Sequence, residues 1–549
     1  MVLANAFGSG SGGNIKIEAS ESIALPENQS NVSFALISAS TFNSGEGGEI
    51  NISTQKLAVL DGGVIGSTSF NTGDAGSVEI TANDINVSGT KDIISQEQPV
   101  QSLITSGTLA EGNAGSVSID AARLNIKDGA AVSSSSLGTG NAGSVSIDAS
   151  ELVEINDENS RFSRENSVSS SVVAIPQDRE VFEQPQPNTA KAGDVRIETS
   201  VLNVFNGGTI SVFNQGIGEG GEIKITTETI NLEEGGNITA IAESGDGGNI
   251  QIDTSNLTSK KNSQITANTL LGEGGDINLR GDRFTLNSSI ISASANEDGG
   301  NISLNASDLD VSDSQIEAES LSRTGGNITV MGDRTIFQNS NLSASAARQG
   351  DGGNVTIDAD TVLGVNSDLT ATAVRGDGGN ILIDADGVLG FAERLAVDND
   401  GISDVDATSQ FGTDGTVNIT NPLTTTNDPL VVLATVPQRN YEIPLTNDCY
   451  NNAGEAKLTD STHENIPESR YNYLDRGNFM AEGNNVEKPS TPSPSSSVIE
   501  ELLWQPGDPY EDAIADTQVQ TPDGRIFAVN KEQVMKLQQR GCIQLEVIE

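Results

Sequence analysis

Apolar and polar residues alternate in short runs along most of the chain. In one representative stretch Ile250 and Ile252 are followed by Leu257, then by Ile265 and Ala267, with polar residues between them and glycine closing the cycle. Alternation is the period of a strand with one buried face. No window of helical length keeps apolar residues three and four apart, which disfavours a helical solenoid.

The cycle then recurs. The chain reads GGEIKIT at Gly220, GGNIQID at Gly247, GGDINLR at Gly274, GGNISLN at Gly299, GGNITVM at Gly325, GGNVTID at Gly352 and GGNILID at Gly378. The second glycines, Gly221, Gly248, Gly275, Gly300, Gly326, Gly353 and Gly379, lie 27, 27, 25, 26, 27 and 26 residues apart. A period of that size marks a repeat architecture. Three short strands and three turns per unit predict one coil of a parallel β-helix, each strand pairing with its equivalent in the next coil at a rise of about 4.8 Å. Inward residues then stack like on like. The paired glycines predict a corner that needs positive φ or leaves no room for a Cβ. Asn follows at Asn14, Asn249, Asn301, Asn327, Asn354 and Asn380, and stacked amides there are expected to hydrogen-bond from coil to coil.

Earlier anchors are Gly48 and then Ala-Gly or its variants at Gly76, Gly115, Gly143 and Gly193, with insertions expected near 90–101 and at 157–187. Such insertions leave a coil stack as surface loops, either tolerated decoration or a partner-facing side. Fourteen anchors from Gly13 to Gly415 give an all-β stack of roughly 14 coils over residues 1–421, about 65 Å long at that rise. The start reads as mid-repeat, with Val2-Leu3-Ala4 where a third strand falls, and the open edge this implies suggests an upstream cap. From Pro422 prolines break the pattern. A Pro and Ser-rich transition and linker spans 422–497, including KPSTPSPSSS from Lys488 to Ser497. Residues 498–549 form a small α+β or irregular region, with a hairpin expected around Pro522-Asp523-Gly524 and a polar helix from Lys531 to Arg540.

Composition sharpens this picture. Aromatic residues make up 4% against 59 glycines, which suits many tight corners around a narrow core. Charge narrows the partners: 29 Lys and Arg face 77 Asp and Glu, a net of −48. That surface repels nucleic acid and anionic lipid. It reads first as a solvated acidic surface. Calcium is the only cofactor that enters, at Gly245-Asp246-Gly247-Gly248-Asn249 and its copies at Gly350 and Gly376, although the calcium-binding repeat of similar composition has a period one third as long. No basic segment leads into an apolar run, and no membrane-spanning stretch occurs.

The recurring GGNIxI unit, the acidic Ser/Thr/Asn-rich coils and the Pro/Ser-rich tail resemble the filamentous haemagglutinin-like exoproteins of two-partner secretion, particularly the long cyanobacterial type. The resemblance covers residues 1 to about 420 and loosely the tail, where Cys449, the Pro489 to Pro494 cluster and Trp504 fall in the family's order. The Gly-Arg-Gly-Gly-Leu-Pro segment common in such tails, and the amino-terminal secretion domain, do not occur in this sequence. The resemblance implies a right-handed β-helix, passage through an outer-membrane barrel transporter, an extracellular or cell-surface location, and adhesion to glycans, matrix or other cells. Cys449 and Cys542 are the only cysteines and are open to either a disulfide or two free thiols.

Catalysis is the competing class, because β-helices also carry polysaccharide lyases and hydrolases. Those sites need paired carboxylates, or carboxylates with calcium and a base. Asp253, Asp358 and Asp384 recur at one place in the coil, as a solvent-facing position does. Arg280, Arg323, Arg348 and Arg375 are scattered, and the single histidine, His463, falls in an expected loop. The residues therefore predict a non-enzymatic rod, with a glycan-processing enzyme as the alternative and a truncated gene remnant as a further one.

Overall fold

The computed structural model describes residues 1–25, 35–92, 99–157, 167–173, 189–397, 401–420, 517–520, 526–529 and 546–548. The chain divides into two units, Met1–Pro429 and Leu430–Glu549. The first is a parallel β-helix. One sheet runs from Ile15–Glu18 through Ile50–Leu60 and Val78–Ser88 to Val417–Thr420, and a second from Val2–Leu3 through Leu36–Ser38 and Val64–Ser69 to Ser403–Asp406 and, last, Phe391–Glu393. Fourteen strands follow one another along the first sheet, with Ser22–Leu25 pairing to one side against Ile50–Leu60. Each begins two residues after an anchor glycine: Ile50 after Gly48, Ile250 after Gly248, Val417 after Gly415.

Two of the three strands expected per coil are one continuous element. In Ile250–Lys260 the side chains of Ile250, Ile252 and Thr254 are inward, Ser255 and Asn256 are both exposed, and Leu257 and Ser259 are inward again. The alternation changes phase there, so the strand turns the core's corner. The ladder to the previous coil is kept on both sides of the bend, at Thr227 opposite Thr254 and Thr229 opposite Asn256.

Left-handed backbone occurs not at the paired glycines but at the other corner, between the end of the long strand and the second sheet. In earlier coils a polar residue and a glycine take it together, as at Asp61 (φ 46°) with Gly62 (φ 83°) and Asn206 (φ 52°) with Gly207 (φ 81°). In later coils one residue suffices at Ser288, Asp313, Asn339 and Asn366. Short polar side chains tolerate this region better than other non-glycine residues. The second-sheet strand shortens in parallel, from six residues in Thr209–Asn214 to three in Ile290–Ser292.

The core is a set of like-on-like rows. Ile225, Ile252, Leu279, Leu304, Val330 and Ile357 stack in register and are buried, each contributing about 1.5–3 kcal/mol on removal from water. One inner row mixes alanine with polar side chains, as in Asn214, Ala242, Thr269, Ala295 and Ser320. Asn214 Nδ2 donates to the Gly218 and Glu219 carbonyls at 2.9 Å each, and Thr269 Oγ1 donates to the Gly245 carbonyl at 2.7 Å. These side chains satisfy the bend that leads into the glycine corner.

At the first expected insertion, Thr90–Lys91 and Val100–Gln101 pair antiparallel. The second is not one excursion, because Ser167–Val172 lies within 157–187 and pairs with both Ala131–Ser136 and Thr209–Asn214. Its inward Val168, Ser170 and Val172 are too brief a run to stand out beside the surrounding charge. In the second unit Thr517–Gln520 pairs antiparallel with Ile526–Val529 and Glu546–Ile548. The expected helix at 531–540 lies outside the described residues, as do Cys449, Cys542, His463 and Trp504. No helix among the described residues is long and apolar enough to cross a membrane.

Candidate functional site

Close approach of neighbouring coils is what demands the second glycine of each anchor. A Cβ on Gly248, Gly275, Gly300, Gly326, Gly353 or Gly379 would lie 2.1, 2.0, 2.1, 1.9, 2.0 or 1.8 Å from the anchor carbonyl oxygen of the coil before, and one on Gly221 would lie 2.2 Å from that of Gly193. The positive torsions all belong to other positions, such as Gly62, Gly129, Gly207 and Gly235.

The anchor N–H is satisfied in two ways. In the Gly-Gly coils from Gly275 to Gly379 it donates to an alanine carbonyl of its own coil, Gly300 to Ala293 at 2.8 Å and Gly353 to Ala344 at 2.6 Å. That carbonyl turns into the corner, where a Cβ on the preceding coil's first glycine would meet it, 2.3 Å away for Gly325 against Ala344. In Ala-Gly coils the alanine is replaced by a buried serine. Ser134 Oγ accepts from the Gly143 N–H at 2.9 Å and donates to the Gly115 carbonyl at 2.9 Å, and Ser106 and Ser170 repeat the arrangement. The main-chain carbonyl is then not needed at the corner, and Ala114, Ala142 and Ala192 occupy the first position.

The residue after the anchor forms an amide ladder on the surface. Asn301 Oδ1 accepts from the Asn327 backbone N–H at 3.1 Å and from its Nδ2 at 2.9 Å. Asn327 does the same for Asn354 at 3.0 and 2.9 Å, and Asn354 for Asn380 at 3.0 and 3.1 Å. Asn249 Oδ1 accepts from the Asp276 N–H at 2.9 Å. A second row, two residues before each anchor, is largely acidic: Asp246 accepts from the Glu273 N–H at 3.2 Å and Asp298 from the Thr324 N–H at 3.0 Å. Between the rows lies a groove of about 420 Å³, floored by Gly220, Gly247, Gly274 and Gly299 and walled by Glu219, Asp246, Glu273 and Asp298. The calcium candidate at Asp246 is part of this wall. Among the described residues no group of three His, Cys, Asp or Glu side chains is arranged to hold a metal. Successive wall carboxylates belong to different coils, about 4.8 Å apart, and several already accept a backbone N–H.

The outer face of the second sheet has the opposite character. Thr105, Ser133, Ser169, Ser211, Thr239 and Thr266 occupy one row in register across six coils. The neighbouring row reads Ser135, Ser171, Phe213 and Ile241. Of these rows Ser169, Ser171, Ser211, Phe213, Thr239 and Ile241, together with Thr209 and Val173, line a groove of about 330 Å³ to which no charged side chain contributes. Further along, the same two rows carry Glu317 and Glu319, between Ser292 and Ser343 and between Ser294 and Ser345. Ser343 Oγ donates to Glu319, and Ser294 Oγ accepts from the Glu319 N–H at 3.2 Å. Burial holds the Glu317 carboxyl above the usual carboxylate range, and the Glu319 charge adds to the effect.

The other sequence candidates do not converge. Asp253, Arg280, Asn305, Met331, Asp358 and Asp384 form a single row on the first sheet, one per coil. Arg323 pairs with Glu297 at 3.1 Å on the exposed bend. The hydroxyl face was not foreseen although its signal was present: Ser or Thr stands at the third position of most second-sheet strands, as in Ala131-Val-Ser133, Thr209-Ile-Ser211 and Asn237-Ile-Thr239. No protein-family model, no curated protein and no solved structure matches this chain.

Proposed function

We propose that this protein is a non-catalytic β-helical rod that binds glycans at a cell surface or outside the cell, as an adhesin does. One observation carries the reading: a continuous hydroxyl-bearing, largely uncharged sheet face on a chain of net charge −48. Such a face repeats coil by coil, which suits a repeating polymer better than a single small substrate. The family resemblance, with its GGNIxI units and its export through an outer-membrane barrel, supports the same reading. So does the low cysteine content, since a chain threaded unfolded through a pore gains from having no disulfide that closes early.

The test is co-sedimentation of the purified protein with insoluble polysaccharides, alongside assays of soluble ones for new reducing ends or unsaturated products. Binding without turnover is the expected result, and clear turnover overturns the reading. Export is tested separately by the DNA upstream of Met1, where an in-frame secretion domain beside a barrel gene is expected.

A second reading, a β-helical polysaccharide hydrolase, draws on Glu317 and Glu319. They are two residues apart in sequence, Glu317 ending the strand Gln315–Glu317 and Glu319 just beyond it, and two neighbouring carboxyl groups are what glycoside hydrolysis requires. A half-buried acid with a raised pKa is the state a proton donor needs. On this reading Glu317→Gln abolishes turnover and leaves binding intact.

A further inference from the structure

We infer that the groove around Phe213 is the binding subsite for an uncharged polysaccharide, whose sugar rings pack on Phe213, Ile241 and Val173 and whose hydroxyls bond to Ser211 and Thr239. This rests on the glycan-binding reading and specifies its ligand and place. Phe213 and Ile241 are side chains on an outward row that is otherwise small or polar: Gly107, Ser135 and Ser171 precede them, Asn268 and Ser294 follow. Both are partly exposed. No fold requirement explains an aromatic and a branched aliphatic side chain there, because inward rows already supply the core.

The hydroxyls beside them differ from their neighbours. Upstream, Thr105 and Ser133 bond to each other at 3.2 Å, and Ser171 donates to Ser135 at 3.3 Å. Downstream, Ser292 donates to Asn268 at 2.9 Å and Ser343 to Glu319. Among the described residues Ser211 and Thr239 have no such partner, so their donors and acceptors are open to a ligand. Apolar walls with a few convergent hydroxyls are the chemistry of a sugar site. A pyranose offers C–H faces to the aromatic ring and hydroxyl edges to Ser and Thr.

Charge selects among ligands. No Lys or Arg lines the groove, and the net charge of −48 repels polyanions, so the polymer is neutral. A peptide adding as a strand needs free backbone groups at a sheet edge, and these coils are paired on both sides here.

The experiment is affinity electrophoresis of the full chain in gels containing a soluble β-glucan or galactomannan, with alginate as the anionic comparison. Retardation by a neutral polymer is expected, and at least tenfold weaker binding in both Phe213→Ala and Ser211→Asp. Ile217→Ala, exposed on a bend outside the groove, is expected to bind as the parent does. Circular dichroism of each variant checks that the helix is intact. Unchanged affinity in both groove variants, or retardation by alginate alone, overturns this inference and leaves the glycan-binding reading standing. Failure to bind any polysaccharide overturns both.

Discussion

At the scale of single residues, the anchors are governed by distance between coils. Gly326→Ala sets a Cβ 1.9 Å from the Gly300 carbonyl oxygen, a contact with rigid backbone that no rotamer relieves. A loss of about 2–4 kcal/mol is expected from such overpacking. Gly387→Ala is the comparison, since nothing lies within 4 Å of the added methyl. Urea unfolding of the two variants checks this, and equal midpoints would count against the close-approach account. Glu317 makes a different demand, set by pH. Burial raises its folded-state pKa above the unfolded value, so its ionised form opposes folding above that folded pKa. The penalty is relieved as pH falls through it. Glu317→Gln is therefore expected to be more stable than the parent at pH 7, with the difference shrinking toward the ordinary glutamate range near 4.3. A gap between the two proteins that stays constant over that interval would exclude Glu317 as its source.

At the scale of the element, the two corner designs exchange as sets. Serine goes with Ala-Gly, as in Ser134 with Ala142-Gly143, and alanine with Gly-Gly, as in Ala344 with Gly352-Gly353. Ser134→Ala leaves the Gly143 N–H and the Gly115 carbonyl without their shared partner, at a cost of about 1–3 kcal/mol. Adding Ala114→Gly and Ala142→Gly restores the other design, with the alanine carbonyl as acceptor. Part of the loss is expected to return in that triple variant, measured by thermal unfolding. Independent, purely additive losses would mean that the two designs are not coupled. This coupling was visible in the chain, yet periodicity alone did not expose it. The anchors and their spacing were legible because one backbone constraint recurs at thirteen successive anchors from Gly48 to Gly415. The bend within Ile250–Lys260 was not, because a phase change at Ser255 and Asn256 looks like a gap between two strands when hydrogen bonding is unseen. The hydroxyl face was hidden for a related reason. Serine and threonine fill outward rows, inner polar rows and turns alike, so only the register separates Ser211, which faces solvent, from Ser134, which closes a corner.

At the scale of the β-helix, each coil touches its two neighbours and little else, so stability is expected to follow a sum over coils and interfaces. Removing one whole coil should then preserve every register. Deleting Asp276–Gly300 takes out 25 residues and joins Gly275 to Asn301, which leaves a Gly-Gly-Asn anchor and sets Ile302 over Ile250 in place of Ile277. The amide row closes too, with Asn249 now facing Asn301, an Asn-on-Asn pair like those from Asn301 to Asn380. Deleting only residues 288–300 removes half a coil and brings a first-sheet strand end against the next coil's start, so inward and outward rows no longer match. Circular dichroism and size-exclusion chromatography distinguish the outcomes. The whole-coil deletion is expected to stay monodisperse with unchanged ellipticity per residue, and the half-coil deletion to lose structure or aggregate. Because Ser211 and Phe213 lie two coils before the cut, the whole-coil variant should also keep the parent's affinity for a neutral polysaccharide. Lost affinity in a folded variant would instead require a site that extends into the second-sheet strand Ile290–Ser292.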